Sequence, residues 1–427
     1  MSLNKSKIVV VGIGYVGLPL AILAKKRGYD VVGVDINENR INDINNKICP
    51  LADEKISIAL QGFPIKATTD FSYVEDASTI IICVPTPVKS DHKPDLKPVI
   101  SAFEEIGTYL KKGQLIILES TVNPGTIREV IIPILENKSK LSANKDFYIA
   151  HCPERINPGS KIWDVENIPR VIGSLNSVGL EKALRFYSSI LKGEVKAMNS
   201  IEEAEAVKIL ENCFRDVNLA LVNEFAMSFE KLGIDILHVI DGASTKPFSF
   251  LAHYPGCGVG GHCVPVDPYY MIDYARSKGF DHKLLSLARE INNNMPEYTV
   301  DLAVKALENN GINIAEANVA LLGIAYKKNI SDDRESPSLE VLKILKEKGI
   351  NVRTYDPYVL QKSSSTSLDE VLQGADAVIL ATDHDEFMSL SPQKLLEYGV
   401  SILIDGRNSL NKDVFTKSGI YYQGIGR

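Results

Sequence analysis

The segment Gly12-Ile13-Gly14-Tyr15-Val16-Gly17 constrains this chain more than any other, because it joins a β-branched run to an apolar helical stretch. In that context G-x-G-x-x-G is a strand–turn–helix crossover of a parallel sheet. The first glycine permits the tight turn, the second lets a ligand approach the backbone, and the third lets the helix pack on the strand. The helix N-terminus then favours negative charge, as a pyrophosphate carries. Asp35 closes the next β-branched run, placed to accept hydrogen bonds from a ribose diol. A carboxylate there repels a 2′-phosphate, so the pattern points to NAD rather than NADP. Tyr15, Val16 and Arg40 complete this cofactor set, and the loops after later strands add Pro85, Thr86 and Thr121.

At 427 residues the chain needs two or three domains, and 45% hydrophobic with 24% charged residues is ordinary for a soluble globular protein. A net charge of −7 argues against a nucleic-acid partner. The uncharged run Ile8–Ala24 imitates a signal peptide or membrane span. Its patterned glycines and a proline read instead as strand, turn and helix, so no targeting segment, no membrane association and a cytoplasmic location are expected. The six cysteines include no C-x-x-C pair, which suits free thiols better than disulfides or a structural zinc; no metal is expected.

Short β-branched runs alternate with helical stretches in the first part: Ile8–Val11, Val31–Val34, Thr79–Val84, Gln114–Leu118 and Phe147–Ala150 read as strands. Ile201–Leu232 contains neither proline nor glycine and reads as one long helix. Strand signals resume at Asn318–Leu322, Val352–Tyr355, Ala377–Ala381 and Ile402–Ile404, with a helix at Ser338–Lys348 and a surface loop at Ser363-Ser364-Ser365. The predicted fold class is α/β: two Rossmann-like domains joined by a helical central domain with a long helix. The boundaries are 1–200 for the NAD-binding domain, 201–312 for the central domain and 313–427 for the second Rossmann-like domain.

Chemistry concentrates in Val259-Gly260-Gly261-His262-Cys263-Val264-Pro265-Val266-Asp267. A thiol beside a glycine pair can attack a carbonyl and hold the product as a thioester, which carries oxidation past an aldehyde. Cys263 is the first candidate, but Cys257 lies in the same loop and spacing does not exclude it. His262 reads as structural or substrate-facing rather than as a base, because adjacent residues of an extended chain point apart. Lys208 and Asn212 lie four residues apart on the long helix and share a face; Glu205 and Glu211 on the same helix suggest a solvated charged surface.

These segments together resemble the nucleotide-sugar 6-dehydrogenases, the UDP-glucose/GDP-mannose dehydrogenase family. The resemblance runs through Gly12–Gly17 with Asp35, Val84-Pro85-Thr86-Pro87, Glu119-Ser120-Thr121, Cys152-Pro153-Glu154-Arg155, Ala204-Glu205 to Asn212, Asn223-Glu224, Gly258–Asp267, Tyr326-Lys327 and Asp333–Pro337. It implies oxidation of a sugar C6 alcohol to a carboxylate with two NAD per turnover. It also implies that Cys263 is the nucleophile, Lys208 the substrate-side lysine, and Asn212 an oxyanion partner. Asp267 is implied to stand beside the thiol, and Thr121 and Glu154 to serve water activation and proton transfer. Gly260 and Lys327 join the implied substrate-binding set, Arg334 lies near the cofactor phosphates, the C-terminal domain binds the UDP part, and the long helix forms a homodimer or higher oligomer.

One departure matters. Glucose-type members carry a second glutamate where this chain has Pro158, and the Glu-Arg-x-x-Pro-Gly form with Arg215-Asp216-Val217-Asn218 resembles the branch acting on UDP-N-acetylhexosamines. Arg155 and Arg215 are candidate contacts to the acetamido or phosphate groups. UDP-N-acetyl-D-mannosamine is the leading substrate, ahead of UDP-N-acetyl-D-glucosamine and UDP-glucose. Two other classes stay open: a one-step hydroxyacid or hydroxyacyl dehydrogenase, for which Cys263 would be dispensable, and a nucleotide-sugar sensor without turnover.

Overall fold

The computed structural model describes residues 6–51, 53–89, 94–155 and 162–427. The chain forms two compact units, one of Met1–Glu211 with Tyr269–Tyr274, the other of Asn212–Pro268 with Ala275–Arg427.

In the first unit the described residues form eight strands: β1 (Lys7–Val11), β2 (Asp30–Val34), β3 (Lys66–Thr68), β4 (Thr79–Ile82), β5 (Leu115–Leu118), β6 (Tyr148–His151), β7 (Arg170–Ser174) and β8 (Val195–Ala197). They lie in one sheet in the order β3-β2-β1-β4-β5-β6-β7-β8, parallel throughout except for β6 against β7. Residues of β1, β4 and β5 are buried almost without exception, because both faces of the sheet are covered; this is why these strands read as continuous apolar runs. One face packs on the helix Gly17–Lys26 and the helix Ser177–Ile190, the other on the helix Lys97–Tyr109. The chain order reverses between β1 and β4, and the crevice at the carboxyl ends of these strands is where an open α/β sheet binds its ligand.

The second unit repeats the plan at smaller scale. Its strands are β9 (Asn318–Leu322), β10 (Asn351–Tyr355), β11 (Ala377–Leu380), β12 (Ile402–Asp405) and β13 (Tyr421–Gly424), all parallel, in the order β10-β9-β11-β12-β13. The helix Lys283–Asn309 and the helix Pro337–Glu347 cover one face.

The long helix runs over Ile201–Leu232 as the sequence predicts, and the apolar run at Ile8–Ala24 is strand, turn and helix. No helix among the described residues is long and apolar enough to cross a membrane. Four strands escape the sequence reading: β3, β7, β8 and β13. The serine run at 363–365 is a loop but not a purely superficial one: Ser365 is buried, and the Ser364 hydroxyl accepts the Thr354 N–H at 2.8 Å.

Candidate active site

The three glycines of the first crossover are required for three separate reasons. Gly12 has φ +85°, and a Cβ there would stand 2.6 Å from the Cys83 carbonyl oxygen at the end of β4. At Gly17 a Cβ would lie 2.0 Å from the Gly12 carbonyl oxygen, so the helix packs on the turn only without a side chain. Gly14 has nothing within 4 Å of its Cβ position. It faces open space at a helix N-terminus with no side-chain cap and no acidic residue in its first turn, the arrangement that receives a phosphate.

Asp35 is buried at the end of β2. Its Oδ2 accepts from the Ile13 N–H at 3.0 Å and pairs with Arg40 at 2.9 Å, while among the described residues Oδ1 accepts only from the Asn37 N–H at 2.9 Å. A carboxylate offers about four acceptor sites. The remaining one on Oδ1 is open to a ribose hydroxyl, and Arg40 holds this aspartate in place. The residues fit NAD. Pro85 is exposed and Thr86 half-buried after β4; the Ser120 hydroxyl donates to the Val84 carbonyl at 2.7 Å and ties this loop to the one that carries half-buried Thr121. Tyr15 is exposed beside the turn and Val16 half-buried within it.

Glu154 and Lys208 come together in the same unit, with Nζ to Oε2 at 3.7 Å and both side chains nearly buried. Burial raises the Glu154 carboxyl above its ordinary value, and Lys208 opposes that rise. A buried carboxyl beside a lysine is a candidate general acid–base group. Glu205 corrects the sequence reading. It is fully buried rather than solvated, and it accepts the N–H groups of Gly125 at 2.6 Å and Ile127 at 2.9 Å. Burial pushes its carboxyl up to about 7 against the pull of those donors. It thereby fixes the far end of the loop that begins at Thr121. Glu211 is also committed: it holds Arg155 by two bonds, at 2.5 and 3.3 Å, while Arg155 donates a further bond to the Pro169 carbonyl. Pro158 and Gly159 lie outside the described residues.

In the second unit the two cysteines of the loop differ in burial. Cys257 is buried with its Sγ donating to the Ala381 carbonyl at 3.5 Å, and burial raises its thiol further from ionisation. Cys263 is half-buried. Its carbonyl accepts from the Val266 and Asp267 N–H groups at 3.0 and 2.8 Å, so it sits directly before the helix that begins at Asp267. The glycine pair is a packing requirement: a Cβ on Gly260 would stand 2.7 Å from Tyr326 and Pro337, and one on Gly261 2.8 Å from the Tyr326 ring. Tyr326 and Arg334 lie within electrostatic reach of the Cys263 sulfur; burial, then Asp332 and Cys263, pushes the Tyr326 phenol up to about 12. Arg334 is bound to Asp332 at 2.6 Å and touches His262 Nδ1 at 3.0 Å, which makes His262 a partner of this cation. Asn212 donates to Asp267 at 2.5 Å. Arg215 is exposed and acts with burial to lower the Lys327 ammonium, so two cations share this region as an anionic substrate requires.

The second crossover reproduces the first almost bond for bond. Gly323 N–H donates to the Tyr355 carbonyl as Gly12 does to Val34, and Ile324 N–H donates to Asp356 as Ile13 does to Asp35. Here, however, buried His384 fills the position beside the carboxylate at 3.0 Å, and Asp356 also accepts from the N–H groups of Ala325, Tyr358 and Val359. No acceptor site is left for a ribose. Arg407 is a candidate that the sequence reading missed. It follows β12, is partly exposed, pairs with Asp383 at 3.6 Å and stands 3.0 Å from where a Cβ of Gly256 would lie. The signal was present: Asp405-Gly406-Arg407 directly follows an apolar strand, where ligand-binding loops begin.

Comparison with known proteins gives a family match in three segments. Residues 6–191 match the NAD binding domain of the UDP-glucose/GDP-mannose dehydrogenase family, 202–294 its central domain and 320–412 its UDP binding domain. The chain is 39% identical to a UDP-N-acetyl-D-mannosamine dehydrogenase of Pyrococcus horikoshii, over 99% of each chain. It is 36% identical to a UDP-N-acetyl-D-glucosamine 6-dehydrogenase of Pseudomonas aeruginosa, over 95% of this chain and 98% of that protein. A solved structure of the UDP-D-ManNAc dehydrogenase from Pyrococcus horikoshii matches with a TM-score of 0.93 at 39% identity, covering 99% of both chains.

Proposed function

The chain belongs to the UDP-glucose/GDP-mannose dehydrogenase family, and from that premise we propose that it oxidises C6 of UDP-N-acetyl-D-mannosamine to the uronate. It is an NAD-dependent nucleotide-sugar 6-dehydrogenase. The observation that carries the four-electron reading is the half-buried Cys263 on its glycine-walled loop, with Arg334 and Tyr326 in electrostatic reach, while Cys257 is sealed in the core.

The Gly12–Gly17 turn and Asp35 would hold NAD, which would supply the hydride acceptor for both oxidations at C6. The Cys263 thiolate adds to the intermediate aldehyde and forms a C–S bond, so the aldehyde stays attached as a thiohemiacetal. Lys208 supplies charge and Asn212 an amide donor to the developing oxyanion. After the second oxidation the product is a thioester on Cys263. Thr121 and Glu154 orient and deprotonate the water that cleaves it, Asp267 holds Asn212 in place, and the thiolate leaves. One water is consumed and two NADH are formed per sugar.

The division of labour that accompanies this reading gives residues 1–200 the cofactor, 201–312 the reactive loop and 313–427 the UDP moiety, with Lys327, Arg215 and Arg407 near the phosphates. The choice of mannosamine is supported by the names of the relatives with 35–39% identity over nearly the whole chain. The glucosamine isomer is the second reading, supported by the Pseudomonas aeruginosa relative. A homodimer through the long helix completes the proposal. Its exposed apolar residues Leu210, Phe214, Leu221, Phe225 and Leu232 follow steps of four and seven, and eleven residues make three turns, so all five share one face.

The test is the purified protein with NAD and UDP-N-acetyl-D-mannosamine, its glucosamine isomer, UDP-glucose or GDP-mannose. Two NADH per mannosamine sugar supports the proposal; one NADH with free aldehyde refutes it. Cys263→Ala should lower four-electron turnover by roughly 10³-fold or more, the scale of losing a nucleophile. Cys257→Ala should keep the stoichiometry and cost only about 1–2 kcal/mol of stability.

A further inference from the structure

The first unit contains an ion pair that the proposed chemistry does not use. Glu119 and Arg170 are both fully buried, with Nη1 to Oε2 at 3.4 Å, and the Tyr187 hydroxyl donates to the other carboxylate oxygen. Arg170 is otherwise poorly satisfied: its Nε and Nη2 are buried without a hydrogen-bond partner. Such a pair is a poor device for stability alone, because well-packed apolar residues of similar volume often do as well or better. Its placement suggests what else it does.

The parallel ladder of β5 and β6 continues past the ends of both strands. Cys152 N–H donates to the Leu118 carbonyl at 3.0 Å, and Glu154 N–H to the Glu119 carbonyl at 3.1 Å. Arg170, at the start of β7, donates from Nη1 to the Pro153 carbonyl at 3.5 Å as well as to the Glu119 side chain. Glu154 is thus gripped through its own N–H by Glu119 and through the preceding carbonyl by Arg170. Beyond the pair, Lys208 approaches Glu154 from the long helix at 3.7 Å. The charges that act on Glu154 are therefore Lys208 and Arg170, which favour its ionised form, and Glu119, which disfavours it. The other titratable groups around this cluster, Cys83, Cys152 and Tyr187, are kept neutral by burial. Arg155 is occupied by Glu211 and Pro169.

We propose that the Glu119–Arg170 pair, steadied by Tyr187, is a positioning device for Glu154: it clamps the backbone at that residue and sets its proton affinity through two opposed charges. The inference rests on the reading of Glu154 as the group that deprotonates water. In that role the ionised form is active, so activity falls as pH drops through the Glu154 ionisation. Glu119→Gln removes the unfavourable negative charge and should move this acid limb to lower pH. Arg170→Met removes a favourable positive charge and should move it to higher pH. Each shift should reach about half a pH unit or more, since a charge at this range commonly moves a carboxyl by that much. The double variant should lie between them.

The experiment measures the pH profile of two-NADH turnover in these three variants, and in parallel an infrared titration of the carboxyl band that Glu154→Gln deletes. The opposed shifts support the inference. Limbs and bands that stay in place while turnover falls, or that move in one direction in both single variants, overturn it. Should Arg170→Met not fold, Glu119→Gln decides alone, because its amide still faces Arg170. A wild-type protein that forms no NADH refutes the proposed function, yet the infrared titration still decides whether this pair governs Glu154.

Discussion

Gly14 and Gly17 stand three residues apart and should respond to alanine in opposite ways. Gly14 has open space at its Cβ position, so Gly14→Ala should fold with an unchanged melting temperature. The methyl group would occupy space intended for a phosphate, and NAD binding should weaken about tenfold or more, about 1.4 kcal/mol. Gly17→Ala meets the Gly12 carbonyl and should lose about 1–3 kcal/mol of stability before any effect on the cofactor is felt. Thermal melts with and without NAD separate the two. If Gly14→Ala bound NAD normally, the turn would not be the phosphate cradle. The sequence shows that glycines stand at these positions, but the three different reasons for them depend on contacts with β4 and the helix, which spacing does not reveal.

At the scale of elements, Glu205 links the long helix to the loop that starts at Thr121, across 78 and 80 residues of sequence. Its carboxyl is raised from an ordinary 4.5 to about 7, first by burial. Over that window the folded chain binds the proton more tightly than the unfolded chain, so this residue's contribution to stability falls as pH rises from about 4.5 to about 7 and is constant above. Glu205→Gln should abolish this slope in a plot of melting temperature against pH. It should also cost about 1–3 kcal/mol, because one of the two N–H groups loses its acceptor. A slope that survives the substitution would assign it to another group. The sequence reading took Glu205 for a solvated charge, because helical spacing identifies neighbours on one face but not what that face meets. The same limit hid Arg170, whose strand opens on a charge, and β3 and β8, whose three residues are too short for an alternating pattern. The long parallel strands were legible because burial on both faces leaves an uninterrupted apolar run.

For the whole molecule, the apolar stripe on the long helix is 45–70% exposed in one chain, which is more than isolated surface residues account for. Charges placed at its centre, as in Leu221→Glu with Phe225→Lys, should leave the proposed dimer as monomers in sedimentation experiments while the far-ultraviolet spectrum stays unchanged. A dimer that persists would move the interface elsewhere. The two crossovers set a further limit on how the molecule operates. The first keeps an acceptor for ribose at Asp35, whereas the second has filled its acceptors at Asp356 with His384 and backbone donors. On the proposed reading the protein has two oxidations to perform and, among the described residues of its two crossovers, one such berth for the oxidant. The spent nicotinamide must then disembark and a fresh one board midway through each cycle, and through that proposed exchange the bond to Cys263 keeps the half-oxidised carbon in place while the C-terminal domain keeps the UDP end.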